Sequence, residues 1–469
     1  MKLGQTSFIH FISKIGSTLA GFVATIYFAR VLGADILGTY FLVIAVLTWL
    51  KLFSTMGISR SVMKRISETD DGDEFFTAGL VLQVVSLVIV SSLILAFQNH
   101  VQDYTGFGRV DVLLALLFAG SFFSFVTSVL VGERLVHISG ILDPLDRISR
   151  SVAQIALVML GFNLLGMFIG YVVASIVSAT VGIYFISARL KYPKKKYFVS
   201  LWSYAKFSWL GNFSNRTLAS MDTIILGLFV SSSLIGIYEI AWNLASVLAI
   251  FGVSISQTLF PEISNLSSED SEEVTELAQT GVSYAGLFLI PGLVGGFVLG
   301  DVILSVYGQE FRQGSLILVI LILARLISTY KNQFVNIIDA VNRPDVSFKI
   351  NGIFVITNIS LNFVFVYLYG WIGAAVATVV SAAVGCVLGY ISLIRLLEFR
   401  FPSAEISKQL FSALVMGAVV YIGVEYLAYS MSMISSLLLI PVGAGIYFGV
   451  LATVSSEFKS TVRSNITLE

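Results

Sequence analysis

What constrains this chain most is a succession of apolar runs, each close to twenty residues long, that continues through nearly the whole sequence. An α-helix rises about 1.5 Å per residue, so about twenty residues cross the roughly 30 Å hydrocarbon core of a bilayer. About fourteen such runs can be marked: 9 to 29, 36 to 56, 76 to 97, 111 to 131, 148 to 164 and 168 to 188, then 207 to 230, 234 to 259, 279 to 299, 313 to 338, 348 to 368 and 371 to 394, and finally 407 to 427 and 433 to 454. With 57% hydrophobic and only 12% charged residues, the composition suits lipid as solvent. Backbone groups in hydrocarbon must find partners within their own segment, and no ten-residue alternating barrel pattern is present. The expected fold is therefore an all-α polytopic membrane protein. Lys2 and Lys14 flank the first run without an A-x-A cleavage site, so it reads as a retained helix.

The runs repeat. ARVLGADILGTYFLVIAVL (Ala29 to Leu47) parallels GLFVSSSLIGIYEIAWNLA (Gly227 to Ala245), aligning Gly38 and Tyr40 with Gly236 and Tyr238. FIGYVVASIVSATVG (Phe168 to Gly182) parallels WIGAAVATVVSAAVG (Trp371 to Gly385). This predicts an N-lobe over residues 1–190 with six helices, a basic linker over 191–206, a C-lobe over 207–394 with six more, and two additional helices with a tail over 395–469. An offset of six spans is even, so both halves enter the membrane in the same sense. Parallel repeats of this kind are expected to enclose a central cavity at their interface.

Orientation follows from Lys and Arg, which concentrate on alternate loops. With a cytoplasmic N-terminus, the inside segments hold Lys51, Arg60, Lys64 and Arg65, then Arg134, Arg147 and Arg150, then Arg189, Lys191, Lys194, Lys195, Lys196 and Lys206, and later Arg343, Lys349, Arg395, Arg400, Lys408, Lys459 and Arg463. The outside loops hold Arg30, Arg109 and Arg312. This predicts both termini in the cytoplasm and residence in the cell membrane. One inside loop, Pro261 to Glu276, carries six carboxylates and no Lys or Arg, but acidic residues influence orientation little. Ser267 or Ser268 ahead of Glu272 and Glu273 predicts a capped surface helix there. The lone Cys386 permits no disulfide, and His10, His100 and His137 show no ligand spacing, so neither a metal nor a cofactor is expected. No phosphate loop, zinc cluster or nucleophile elbow appears. No catalytic residue is therefore assigned, and no nucleic-acid partner is expected.

Charges inside apolar runs are the candidates for function, because a charge at bilayer depth costs several kcal/mol, roughly, unless it faces protein or water. Arg216, Asp222 and Glu239 lie within the stretch Ser208 to Leu259. Asn212 and Arg216 are four apart, as are Glu239 and Asn243; Arg325, Thr329, Asn332 and Asn336 share one helix stripe, and Asn351, Asn358 and Asn362 share another. Such stripes suit the walls of a wet cavity, and amides equally serve as glue between helices. The substrate path is assigned to Lys14, Asn212, Arg216, Arg325, Lys331, Asn332, Asn336 and Asn358, and gating or ion coupling to Arg30, Asp35, Asp222 and Glu239. Arg30 and Asp35 flank a short turn and suit either a local ion pair or a gate contact.

Four motifs in a set order complete the reading. They are R-x-L-G-x-x-x-x-G-x-Y at Arg30, Leu32, Gly33, Gly38 and Tyr40; its echo D-x-x-I-L-G at Asp222, Ile225, Leu226 and Gly227, with Gly236 and Tyr238; F-P-E-I-S at Phe260 to Ser264; and Y-G-W-I-G-A-A-V-A-T at Tyr369 to Thr378. In these the chain resembles the polysaccharide transporter branch of the multidrug/oligosaccharidyl-lipid/polysaccharide flippase superfamily. The resemblance implies two lobes that exchange inward-open and outward-open states and move polyprenyl-linked oligosaccharides across the cytoplasmic membrane for surface polysaccharide or glycoprotein assembly. It implies as partners a polyprenyl-(pyro)phosphate-linked oligosaccharide, membrane lipids, and the glycosyltransferases or polymerases of the pathway, with H+ or Na+ as a coupling ion. Only Lys14 stands in the first helix where the lipid II flippase branch has several arginines. Two other readings compete. A cation-coupled multidrug exporter would prefer acidic walls, and a membrane-embedded glycosyltransferase or polymerase would need a substantial outer loop.

Overall fold

The computed structural model describes residues 3–69, 71–211, 213–266, 271–427 and 433–466, in which helices and short connections occur and no strand. The chain separates into two compact units, Met1–Gly236 and Ile237–Glu469.

The first unit contains α1 (Leu3–Thr55), α2 (Ile58–Glu68), α3 (Gly72–Ala96), α4 (Gln98–Thr105), α5 (Val110–Gly132), α6 (Val136–Met159), α7 (Asn163–Tyr184), α8 (Lys195–Gly211), α9 (Phe213–Phe229) and the first turn of α10 (Ser232–Leu248). Left straight, the 53 residues of α1 would reach about 80 Å, more than twice the hydrocarbon thickness. The helix breaks instead at Gly33, with φ 80° and ψ 173°, a backbone region open to glycine alone. The second arm of α1 packs Val43 and Leu47 against Leu87 and Val90 of α3, Leu116 and Leu117 of α5, and Phe168 of α7. The short amphipathic α2 turns Ile58, Val62 and Ile66 inward, onto Phe75, Phe125 and the α8 residues Tyr197 and Leu201.

The second unit continues α10 and adds α11 (Ile250–Asn265), α12 (Ser271–Ala285), α13 (Leu289–Ser305), a 3-10 turn (Gln309–Gly314), α14 (Ser315–Ala340), α15 (Pro344–Leu396), α16 (Ser403–Leu427), α17 (Met433–Val454) and α18 (Ser456–Ile466). α15 is also 53 residues long and reverses at Gly370, where φ is 58° and a side chain would be strained. Its two arms lie antiparallel, joined by Asn358 Nδ2, which donates to Ser381 Oγ at 3.1 Å and to Thr378 Oγ1 at 3.4 Å.

Within each unit the second repeat is built alike. A Cβ added to Gly170 would run into the backbone of Gln154 on α6, and one added to its counterpart Gly373 would overlap the Phe365 carbonyl. Glycine therefore sets the close approach of the paired helices in both halves. Ser175 meets Asp146 across α6 and α7 as Thr378 meets Asn358 across the arms of α15.

Among the described residues nine helices are long and apolar enough to cross a membrane, or ten when α10 and α11, bent by 44°, count as one span. Two of these, Ala20–Thr55 and Pro344–Leu396, are divided by the breaks at Gly33 and Gly370. With α6 and the α8–α9 pair, this is consistent with about fourteen crossings.

The structure corrects one element. The sequence places Arg147 and Arg150 at the inside end of a span over 148 to 164, whereas α6 begins at Val136 and carries both well within it. The charges lowered the apolarity of the segment, but Arg150 is neutralised within the fold by Asp146, one helical turn away.

Candidate functional site

In the second unit the spacing of α14 brings a lysine into the protein interior. Lys331 is 2% exposed, its Nζ donates to Asn351 Oδ1 at 3.1 Å, and it lies 4.4 Å from the centre of the Phe354 ring. A Cβ at Gly385 would press on the Lys331 stem, so glycine there makes room for it. Among the described residues no carboxylate pairs with Lys331. An ammonium has three N–H donors, and burying one without a counter-ion is costly.

Arg325, six residues earlier, is half-buried. Its guanidinium lies 4.1 Å from the centre of the Trp242 ring and donates through Nε to Ser246 Oγ at 3.0 Å. Trp242 and Ser246 share one face of α10 with half-buried Glu239, one turn before Trp242. The Arg325, Trp242 and Glu239 positions thus gather at one helix face, the stacking and fork geometry favouring arginine over lysine.

The asparagine stripes divide. Asn332 and Asn336 are half-buried on α14, Asn336 beside a small recess shared with Ser256 and Gln333. Asn351 belongs to the Lys331 site. Asn358, at 0% exposure, is enclosed between the arms of α15, and Asn362 donates to the Asn358 carbonyl at 3.0 Å. The Asn358 amide bridges the two arms of α15, the packing role open to any amide between membrane helices.

In the first unit Asp222 is buried at 7% on α9. That helix is tied to α4 by Tyr104, whose hydroxyl donates to the Ile224 carbonyl at 2.5 Å. Arg30 and Asp35 are both exposed, on either side of the Gly33 break. Lys14, Asn212 and Arg216 lie outside the residues whose side chains are described.

The sequence reading missed a polar ladder on α6. Asp146 pairs with Arg150, accepts from Ser175 Oγ at 2.9 Å, and is almost wholly buried. Arg150 lies 3.6 Å from the centre of the Tyr171 ring, and Gln154 Nε2 donates to the Met167 carbonyl at 2.7 Å and to Tyr40 Oη at 3.2 Å. The spacing 146, 150 and 154 was the available signal, since residues four apart share a helix face. Gln333, donating to the Gly252 carbonyl at 2.9 Å between α14 and α11, was missed as well. Among the described residues no group of three or more His, Cys, Asp or Glu could hold a metal ion.

Many apolar spans, two structurally repeated halves and cations set inside a candidate span define a polytopic membrane transporter. The chain belongs to the polysaccharide biosynthesis protein family, whose pattern matches residues 3–267. The lipid II flippase MurJ family matches residues 156–442, a range that starts after the first helix. A probable flippase, AglR of Haloferax volcanii, is 32% identical over 468 residues and 98% of each chain. A probable low-salt glycan biosynthesis flippase, Agl15 of the same organism, is 29% identical over 96% of this chain and 94% of its own. In fold the chain is similar to an inward-closed structure of lipid II flippase MurJ, with a TM-score of 0.81, 18% identity and coverage of 95% of this chain and 98% of that one. An inward-facing multidrug transporter of the MATE family aligns less well, with a TM-score of 0.65 and 16% identity over 81% of this chain and 95% of its own.

Proposed function

We propose that this membrane protein is a flippase that moves polyprenyl-linked oligosaccharides across the cytoplasmic membrane by alternating access, for the assembly of surface polysaccharide or glycoprotein. The observation that carries this reading is Lys331, an ammonium enclosed within a candidate span with Asn351 and the Phe354 face as neighbours. A sugar-pyrophosphate head cannot enter hydrocarbon unaided, and charge-assisted bonds from Lys331 and Arg325 would compensate its phosphates. Arg216 and Lys14 are assigned to the substrate path from the sequence, and Asn332 and Asn336 offer amides to sugar hydroxyls. The relatives named as glycan flippases over nearly the full chain support the cargo class. The cations speak against export of cationic drugs.

The role is transport rather than catalysis, and both termini face the cytoplasm. Asp222 or Glu239 carries a coupling ion, H+ or Na+, and glycosyltransferases or polymerases of the pathway act before and after the crossing. Deleting the gene and analysing which lipid-linked glycan accumulates on the cytoplasmic side tests the cargo directly. Arg216→Ala and Arg325→Ala are each expected to abolish surface glycan assembly at normal protein levels. Normal assembly in both variants would overturn the cationic path.

A further inference from the structure

The segment between the two repeats leaves α7 at Tyr184 and enters α8 at Lys195. Side chains of the first unit hold its backbone in place. The Glu133 carboxylate accepts from the Ser187 and Ala188 amides at 3.0 and 2.7 Å, Asp73 accepts from Arg189 at 2.9 Å, and Thr77 Oγ1 accepts from Lys191 at 3.0 Å. α8 adds anchorage by burying Tyr197, Leu201 and Ala205, and Ser61 Oγ donates to the Leu201 carbonyl at 2.8 Å. The linker backbone is thus held as a ledge, from which its outward side chains extend at set positions along the chain.

Two of its cations are neutralised. Lys191 meets Glu74 at 2.6 Å and Lys196 meets Asp71 at 3.8 Å. The hydrogen bond to Glu74 holds the Lys191 ammonium above its ordinary range. Arg189, Lys194 and Lys195 are exposed and make no ion pair among the described residues. Tyr192 stands between them at 91% exposure, and Trp202, about two helical turns beyond Lys195 on α8, is half exposed at 49%.

We propose that this ledge is a binding site for the headgroups of anionic phospholipids. It follows directly on a candidate membrane span, Asn163–Tyr184, which places it at the depth where bilayer headgroups lie. Tyr and Trp settle at that interface, and uncompensated Lys and Arg beside a span attract anionic lipid. The three positive charges within seven residues exceed by one the Asp73 and Glu133 carboxylates that cap the ledge's amides, so they complement a phosphate with net negative charge and gain little from a zwitterionic one. The site owes nothing to the cargo assigned above, and its test does not depend on transport.

Trp202 supplies the probe. The full-length protein is reconstituted in vesicles containing brominated phosphatidylglycerol or brominated phosphatidylcholine at equal mole fraction, and the Trp202 contribution is taken as the difference from Trp202→Phe. Quenching by the anionic lipid is expected to exceed that by the zwitterionic one by about twofold or more at low salt, and to converge as salt screens the charges. The preference should vanish in R189Q/K194Q/K195Q and persist in K194R/K195R. Equal quenching by the two lipids, or a preference that survives loss of all three cations, would overturn the proposal.

Discussion

Gly38 and Gly236 hold the same place in the two repeats, and each lies against the helix of the other. A Cβ on Gly38 would overlap the Ser232 carbonyl, and a Cβ on Gly236 would overlap the Ala34 carbonyl, Ala34 and Ser232 each standing four residues before the glycine. The contact is thus reciprocal, as expected where repeat-related helices cross. Glycine lets two membrane helices approach to backbone distance, and the crossing explains why the aligned repeats share this residue.

Gly38→Val and Gly236→Val should each destabilise the protein, since neither carbonyl can move away without shifting a helix. Overpacking of this kind costs about 1–3 kcal/mol in typical cores. The expected result is a lowered Tm of the detergent-purified protein for each variant. Because both substitutions strain one contact, the double variant should lose less than the sum of the two.

Asp146 and Arg150 offer a second test. Removing one partner of a buried ion pair leaves a charge without compensation and costs about 3–5 kcal/mol, whereas removing both is much milder. Asp146→Asn or Arg150→Gln alone is therefore expected to lower thermal stability more than the double substitution does. A double variant as unstable as the worse single one would mean that the pair contributes through other contacts.

Lys331→Met tests the opposite case. Among the described residues the ammonium has no carboxylate partner, so replacing it with an apolar chain of similar length should leave stability unchanged or improve it, while glycan transport falls by about tenfold or more, equivalent to about 1.4 kcal/mol in binding. Measured side by side, purified-protein Tm and surface glycan separate the two effects. A loss of both together would assign Lys331 to structure.

Asn358→Leu distinguishes glue from cavity wall. Hydrogen bonds between membrane helices average about 0.6 kcal/mol and reach about 1.7 kcal/mol, so the variant should fold, lose at most a few degrees in Tm, and retain glycan transport. Asn332→Leu, on the half-buried side of α14, is expected to impair transport instead.

The helical membrane fold, the repeat and the residues that carry it were legible from one dimension. Apolar length and Gly spacing are local properties that lipid forces on any spanning helix, so they are written along the chain. Gly33, Gly38, Gly236 and Gly370 all stood in quoted motifs, and each proved to mark a break or a crossing. The helical segment ahead of Arg147 and Arg150 was not legible, because hydropathy sums a segment while burial depends on what faces each residue.

By itself, then, the sequence determined that this protein spans the membrane many times with related motifs in its two halves, and it marked Arg325 and Lys331 as charges inside an apolar run. Only the tertiary structure decided that Lys331 meets Asn351, that Asn358 serves the hairpin of α15, and that Arg150 is neutralised by Asp146 against Tyr171. The reason is physical: a polar side chain in lipid takes its meaning from the partner that another helix delivers, and residues 331 and 351, or 150 and 171, become neighbours only through packing.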